Sequence, residues 1–272
     1  MWGVRIIHES SLWIRDHGNS FITLTYDKEN LPENWELHPP DFRNFIRRLR
    51  AHFPQKIRYF QVGEYGNKCR HNTVYGEDTV KDCELCNVGR PHFHACLFNC
   101  SFGDLVSIGE KNGVEYFTSP LLESIWKKGH VQVGELNFAT AAYAARYCLK
   151  KVNGERAYEH YSLISDDGEW IRIRPEYVTM SRRPGIGRDW FEKFGSDVFP
   201  WDEVPVEGEG VIKKAPRYYD EILRVEDESL YEEVKALRRI FRAEHAEEYT
   251  PQRLMAKYKV KKAQVDMLRR TV

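Results

Sequence analysis

His92 and His94 stand two residues apart in the run Pro91-His92-Phe93-His94-Ala95-Cys96-Leu97-Phe98. The run is apolar and alternating, which predicts a strand. Side chains at i and i+2 of a strand leave the same face, so the two imidazoles would stand together with Phe93 on the other side. Paired imidazoles are half of a metal site. The best third ligand is Glu64, in Gly63-Glu64-Tyr65-Gly66 at the end of the preceding strand. If the two strands are neighbours, its carboxylate reaches both rings. Two nitrogens and one oxygen leave positions open for phosphate oxygens and water, which suits Mg²⁺ or Mn²⁺ in phosphoryl transfer. The plainer reading is that His92 and His94 are ordinary half-buried strand residues.

The matching nucleophile is in Tyr143-Ala-Ala-Arg-Tyr147-Cys-Leu-Lys150-Lys151. Tyr143, Tyr147 and Lys150 fall at i, i+4 and i+7 of a predicted helix, so one face presents all three, with Lys151 close to it. A phenolate can attack a phosphodiester and expel the 3′ oxygen, leaving a 5′-phosphotyrosine. A metal would polarise the phosphate, and a lysine would offset charge in the transition state. The plainer reading makes the tyrosines packing residues and the lysines favourable neighbours of the helix C-terminus.

Two further clusters could bind. Cys69, His71, Cys83 and Cys86 lie between Glu64 and His92. Cys83-Glu-Leu-Cys86 has structural-zinc spacing, and Zn²⁺ would staple a polar insertion over 67–89; a loop with unpaired thiols is the alternative. Cys96, Cys100 and Cys148 read as core or near-core. Arg43 and Arg47, with Arg48 and Arg50, form a basic patch, and Arg182 and Arg183 sit in a glycine-containing segment, 181–187, that could hold a DNA backbone. Either could equally be a solvated surface or a turn pinned by its own charges.

Composition sets the bounds. The 272 residues are 42% hydrophobic, 13% aromatic and 30% charged. The mean hydropathy is −0.61, which predicts a soluble protein. No apolar run approaches the roughly 20 residues of a bilayer span, and the first residues do not resemble a signal peptide, so the expected location is the cytoplasm. The net charge is zero, a weak argument against bulk nucleic-acid binding. The distribution is uneven: residues 202–248 hold 14 acids and 8 bases, and residues 250–272 hold 7 bases and the single acid Asp266.

Periodicity and caps predict helices over 3–16, 41–50, 120–128 and 139–151, the third capped by Ser119. Strands are expected at 21–26, 57–64, 91–98 and 130–136. This order gives an α+β fold, an antiparallel β-sheet flanked by helices. The nicking chemistry would occupy residues 1–155, with an accessory, helical C-terminal region at 156–272.

Taken together, these motifs resemble one family. Phe21-Ile-Thr-Leu-Thr-Tyr26-Asp27, Gly63-Glu64-Tyr65-Gly66, Arg90-Pro91-His92-Phe93-His94, Tyr143-x-x-x-Tyr147 with Lys150-Lys151, Met180-Ser181-Arg182-Arg183-Pro184-Gly185-Ile186-Gly187 and Pro216-Arg217-Tyr218-Tyr219 occur in consistent order over residues 1 to about 220. They are similar to the replication initiation proteins of gokushovirus-type Microviridae, within the HUH endonuclease superfamily. The resemblance implies an RRM- or ferredoxin-like nicking domain, His92 and His94 as metal histidines, Glu64 as third ligand, and Tyr143 and Tyr147 as nucleophiles. Members usually begin further upstream with a cysteine-bearing segment that has no counterpart here, so a truncated or later start is expected.

The expected function is site-specific nicking and rejoining of single-stranded origin DNA in the host bacterial cytoplasm, initiating and ending rolling-circle replication. One tyrosine would hold the 5′ end while a host DNA polymerase extends the 3′ hydroxyl. No Gly-x-x-x-x-Gly-Lys-Ser/Thr loop is present, so a host helicase is the expected partner. A relaxase or transposase would share the chemistry. The alternative from another class is a non-catalytic nucleic-acid-binding module that stacks bases on an RRM-like sheet. Such a module has no need for Glu64, His92 and His94 to converge on a tyrosine helix.

Overall fold

The computed structural model describes residues 1–66, 89–111, 114–147, 152, 154–164 and 168–267, side chains at 111, 114, 147, 163, 164 and 265–267 excepted. Helix α1 (Trp2–Ser11) leads into β1 (Asn19–Thr25), α2 (Pro39–His52), β2 (Arg58–Tyr65) and β3 (Pro91–Phe98). Next come β4 (Val106–Lys111), β5 (Val114–Thr118), α3 (Pro120–Trp126), β6 (Val131–Gly134) and the tyrosine helix α4 (Phe138–Tyr147). A short helix α5 (Arg156–His160) and strands β7 (Ser162–Ile164), β8 (Trp170–Arg172) and β9 (Tyr177–Met180) follow. Seven strands form one sheet in the order β4-β5-β6-β1-β3-β2-β9, and each pair is antiparallel. The fold is α+β, as the order of elements implies.

Alternation along the central strands sorts the two faces. Ile22, Leu24, Phe93, Ala95, Leu97, Val131 and Val133 point to one side, where Phe42, Phe45, Ile46 and Leu49 of α2 and Leu122, Ile125 and Trp126 of α3 complete the core. The spacing of the α2 residues is the 3- and 4-residue step of an amphipathic helix. Each fully buried Leu, Ile or Phe there contributes about 1.5–3 kcal/mol of apolar burial. Ser119 accepts from the Leu122 amide and caps α3. On the other face, α1 and α4 lie against each other and against β2 and β3. Gly3 lets α1 approach closely, because a Cβ there would lie 3.5 Å from the Ala142 backbone.

Several expectations shift. The first helix ends at Ser11 rather than 16, where the Ser10 and Ser11 hydroxyls donate to the Ile7 and His8 carbonyls and compete with helix continuation. The β4–β5 hairpin was not expected: a bulge between Ser107 and Gly109 breaks its alternation, and Gly109 takes φ +126. Strand β9 has only four residues, too few for a periodicity signal.

The chain divides into two compact units, residues 1–194 with 205–211 and residues 195–204 with 212–272. A boundary at residue 155 falls inside the first unit, because β9 hydrogen-bonds to β2. Between β9 and the end of the chain lie α6 (Arg188–Val198), the β10 (Glu203–Val206) and β11 (Gly210–Lys213) hairpin, α7 (Arg217–Glu226), α8 (Glu228–Glu244) and α9 (Pro251–Met267). Within the second unit, Arg238 forms ion pairs with Asp202 and Asp220 at 2.7 and 2.8 Å, and Asp227 caps α8. No helix among the described residues is long and apolar enough to cross a membrane.

Candidate active site

Strand register assembles the site. Glu64 lies across from His92, and Thr25 lies across His92 on the other side. One step along, Thr23 lies across from His94. These side chains share the α1–α4 face. Glu64 Oε1 is 2.9 Å from His92 Nε2 and 3.0 Å from His94 Nε2. Their ligand atoms all lie within 4.8 Å of one another. His94 and Glu64 are buried and His92 is partly exposed, so the cluster opens to solvent on one side. Strand neighbours at i and i+2 gave the histidine pair in the sequence; the sheet register supplies the carboxylate.

Hydrogen-bond roles show why the cluster suits a cation. The Arg90 carbonyl can only accept, so His92 Nδ1, at 3.2 Å, donates to it. A neutral His92 then directs the Nε2 lone pair at the Glu64 carboxylate, and two acceptors face one another. Either a second proton on the ring or a cation between them resolves that contact. Burial opposes charge on Glu64, but the hydrogen bonds from His92 and His94 outweigh it and hold the carboxyl well below its usual range. The site therefore keeps an anionic oxygen beside two imidazoles, the donor set of a divalent metal.

Neighbours fix the rings. The Thr23 hydroxyl hydrogen-bonds His94 Nδ1 at 2.9 Å, which sets the ring so that Nε2 faces Glu64. Phe21 stacks on His94 with centroids 5.7 Å apart and meets Tyr143 edge-on at 6.1 Å. The Tyr143 hydroxyl lies 3.5 Å from His94 Nε2. The Arg146 guanidinium sits 5.6 Å from the Tyr143 ring centroid, one turn along α4.

Of the residues singled out in the sequence, Glu64, His92, His94 and Tyr143 come together. Tyr147 ends α4; its side chain, and Lys150, Lys151, Cys69, His71, Cys83 and Cys86, lie outside the described residues. Arg43 and Arg47 are exposed on α2, on the opposite side of the sheet from the cluster. Arg182 and Arg183 are exposed beside the far end of β2, where the Ser181 amide donates to the Tyr59 carbonyl; five residues of strand separate Tyr59 from Glu64, roughly 16 Å. Their turn is pinned by other charges: Arg58 donates to the Pro184 and Gly185 carbonyls, and Glu9 accepts from the Gly187 amide. Cys96 and Cys100 are fully buried, and burial pushes the Cys100 thiol up to about 12, so both are core residues. Thr23, Phe21 and Arg146 were not singled out. Thr23 and Phe21 are meaningful only once β1 is known to pair with β3, and Arg146 only once Tyr143 is known to turn inward.

Comparison with known proteins agrees with this geometry. The family described as replication-associated protein ORF2 matches residues 19–73, a stretch that includes β1 and Glu64. Replication-associated protein ORF2 of Spiroplasma virus 4 is 32% identical over 232 residues, covering 80% of this chain and 61% of the relative. Replication-associated protein VP4 of Bdellovibrio phage phiMH2K is 28% identical, over 80% of the chain and 61% of that protein. Replication-associated protein ORF4 of Chlamydia phage 1 is 28% identical, over 79% and 49%. The chain thus spans about three fifths of the length of the first two relatives. No solved structure matches it. Family match, relatives and motif order coincide: the chain is a relative of the replication-associated proteins of gokushovirus-type Microviridae.

Proposed function

We propose that the chain is a site-specific single-stranded DNA endonuclease and strand transferase of the HUH type, which starts and ends rolling-circle replication through a covalent 5′-phosphotyrosine. The observation that carries this reading is the Tyr143 hydroxyl 3.5 Å from His94 Nε2, a nucleophile beside a carboxylate–imidazole cluster that can hold a cation. The similarity to replication-associated phage proteins supports it. A non-catalytic binding module has no use for that convergence.

In this reading Glu64, His92 and His94 hold Mg²⁺ or Mn²⁺, which when bound polarises the scissile phosphate. Two imidazole donors favour Mn²⁺ of the two. The Tyr143 phenol loses its proton, and its oxygen bonds to phosphorus. The bond from phosphorus to the 3′ oxygen breaks, and that oxygen leaves with the electron pair and takes up a proton. The phosphate remains on the tyrosine, and the 3′ hydroxyl is free for a host polymerase behind a host helicase. Tyr147 repeats the attack at the regenerated origin, and the released 3′ hydroxyl displaces the first tyrosine to close the circle. Each step exchanges one phosphoester for another, so no nucleotide co-substrate is needed. Arg146, Lys150 and Lys151 place positive charge near the attacking oxygens. Thr23 holds the His94 ring, and Phe21 holds Tyr143.

The rest of the chain has supporting roles. Residues 1–155 carry the chemistry, and 156–272 form an accessory region. Cys69, His71, Cys83 and Cys86 hold a structural Zn²⁺. Arg43, Arg47, Arg182 and Arg183 contact DNA away from the scissile phosphate. The protein acts in the host cytoplasm.

Incubation with circular single-stranded phage DNA tests the reading. Mn²⁺ or Mg²⁺ should yield linear DNA with a free 3′ hydroxyl and protein on the 5′ end, and EDTA should stop the reaction. Cleavage that survives EDTA, or 5′ ends free of protein, would sink it.

A further inference from the structure

Gly134 is the last residue of β6, beside the cluster, and neither backbone nor packing explains it. It is not among the glycines with positive φ. A Cβ added there would meet one atom within 4 Å, the Phe21 carbonyl oxygen at 4.0 Å. Any residue would fit. Glycine within a strand weakens it, and where nothing else demands it, it often marks the close approach of a ligand.

The register says what stands on either side. Gly134 lies across from Phe21 on β1, and Phe21 stacks on His94 and abuts Tyr143. On β5, Phe117 pairs with Val133 and turns into the core of the opposite face. Alternation therefore sends Tyr116 to the Gly134 side, one step along and across from Gly134. Phe21 and Tyr116 are both half-buried. Two aromatic rings thus rise from the same sheet face, two strand spacings or roughly 10 Å apart, with a bare strand between them. Gln132, half-buried and one step along β6 on that face, lies across from Thr23 and offers an amide beside the gap. A flat aromatic ring needs roughly 3.5 Å to each stacking partner, so the gap has the width of one nucleobase.

We infer that Gly134 is the floor of a slot, walled by Phe21 and Tyr116, that takes one unpaired nucleobase of the strand whose phosphate lies at Glu64, His92 and His94. This rests on the nuclease reading for the position of the phosphate. Phe21 is common to both sites: one side of its ring orders His94 and Tyr143, and the slot lies on the β6 side. Seating a base there would fix the neighbouring phosphate before Tyr143 attacks. Stacking tolerates any base, whereas the Gln132 amide can read a base edge.

The test uses metal-free full-length protein and a fluorescein-labelled oligothymidylate about twenty nucleotides long, beside an abasic strand of the same length. Gly134→Val and Tyr116→Ala should each weaken oligothymidylate binding about 10-fold and leave the abasic strand bound as by wild type. Gly134→Val should melt no lower than wild type, since the site is open and valine suits a strand. Oligothymidylate bound by both variants as by wild type, or equal losses on both strands, would overturn the slot. If Gly134→Val fails to fold, the Tyr116→Ala comparison decides alone. Binding is read without cleavage, so a wild-type protein that shows this base dependence but never forms a tyrosine adduct would defeat the nuclease reading and leave the slot standing.

Discussion

Arg58 and Glu64 stand on the same face of β2, six residues apart, and each belongs to a buried charge cluster, yet the two are built differently. At one end Arg58 Nε lies 2.6 Å from Glu9 Oε1, with both side chains buried, and the Gly187 amide takes the other Glu9 oxygen at 2.8 Å. Opposite charges meet, and the ensemble ties α1, β2 and the turn after β9. At the other end one Glu64 oxygen faces two imidazole nitrogens, with a phenol beside them. The first cluster is complete within the chain, and the second has room for one more positive charge. Charge that is matched internally holds the fold; charge left converging on a point is available for chemistry.

Substitutions at the two ends should separate accordingly. His94→Ala should lower cleavage on the order of 1000-fold, while its melting temperature and metal-free binding of single-stranded DNA stay close to wild type. Glu9→Ala should do the reverse. It strands a buried guanidinium, which costs about 3–5 kcal/mol, read as a lower denaturant midpoint; the protein still folded at low temperature should cleave. A Glu9 variant as stable as wild type, or a His94 variant that cleaves normally, would erase the distinction.

The holding end also carries a pH signature. His8 on α1 stacks on Trp190 with centroids 3.4 Å apart, and its Nε2 donates to the Pro205 carbonyl at 2.8 Å. Burial lowers its pKa to about 4, partly opposed by that hydrogen bond. The folded protein keeps the ring neutral, while the unfolded chain protonates near 6.5. Its contribution is therefore whole above about pH 6.5 and is lost as pH falls toward 4, by about 3 kcal/mol in total. His8→Gln should flatten the stability profile across that window; an unchanged slope would show that His8 titrates normally.

A smaller effect sharpens the other end. Thr23→Val keeps the side chain's shape and removes the hydroxyl on His94 Nδ1. Mn²⁺ affinity, followed by thermal shift, should fall about 10- to 100-fold, and Thr23→Ser should recover most of it. Equal affinity in all three proteins would mean that the ring is held by packing alone.

What could be read from the sequence follows the range of the forces involved. Strand Pro91–Phe98 was legible to the residue, since its run is buried on both faces and bounded by Pro91. The tyrosine helix and the Ser119 cap were legible from local spacing. The metal cluster was legible because His92 and His94 are strand neighbours at i and i+2 and Glu64 ends the preceding strand. Thr23, Phe21 and Gly134 were not, because their meaning lies in the pairing of β1 with β3 and β6, which no local pattern specifies. The β4–β5 hairpin escaped because its bulge cancels the alternation that marks a strand.

Mapping the covalent bond tests the central claim most directly. Protein incubated with Mn²⁺ and single-stranded phage DNA, then quenched, digested and examined by mass spectrometry, should yield a peptide carrying a 5′-linked nucleotide on Tyr143 or Tyr147. The double variant Tyr143→Phe, Tyr147→Phe should yield none. A nucleotide attached to any other residue, or full adduct formation in the double variant, would contradict the account.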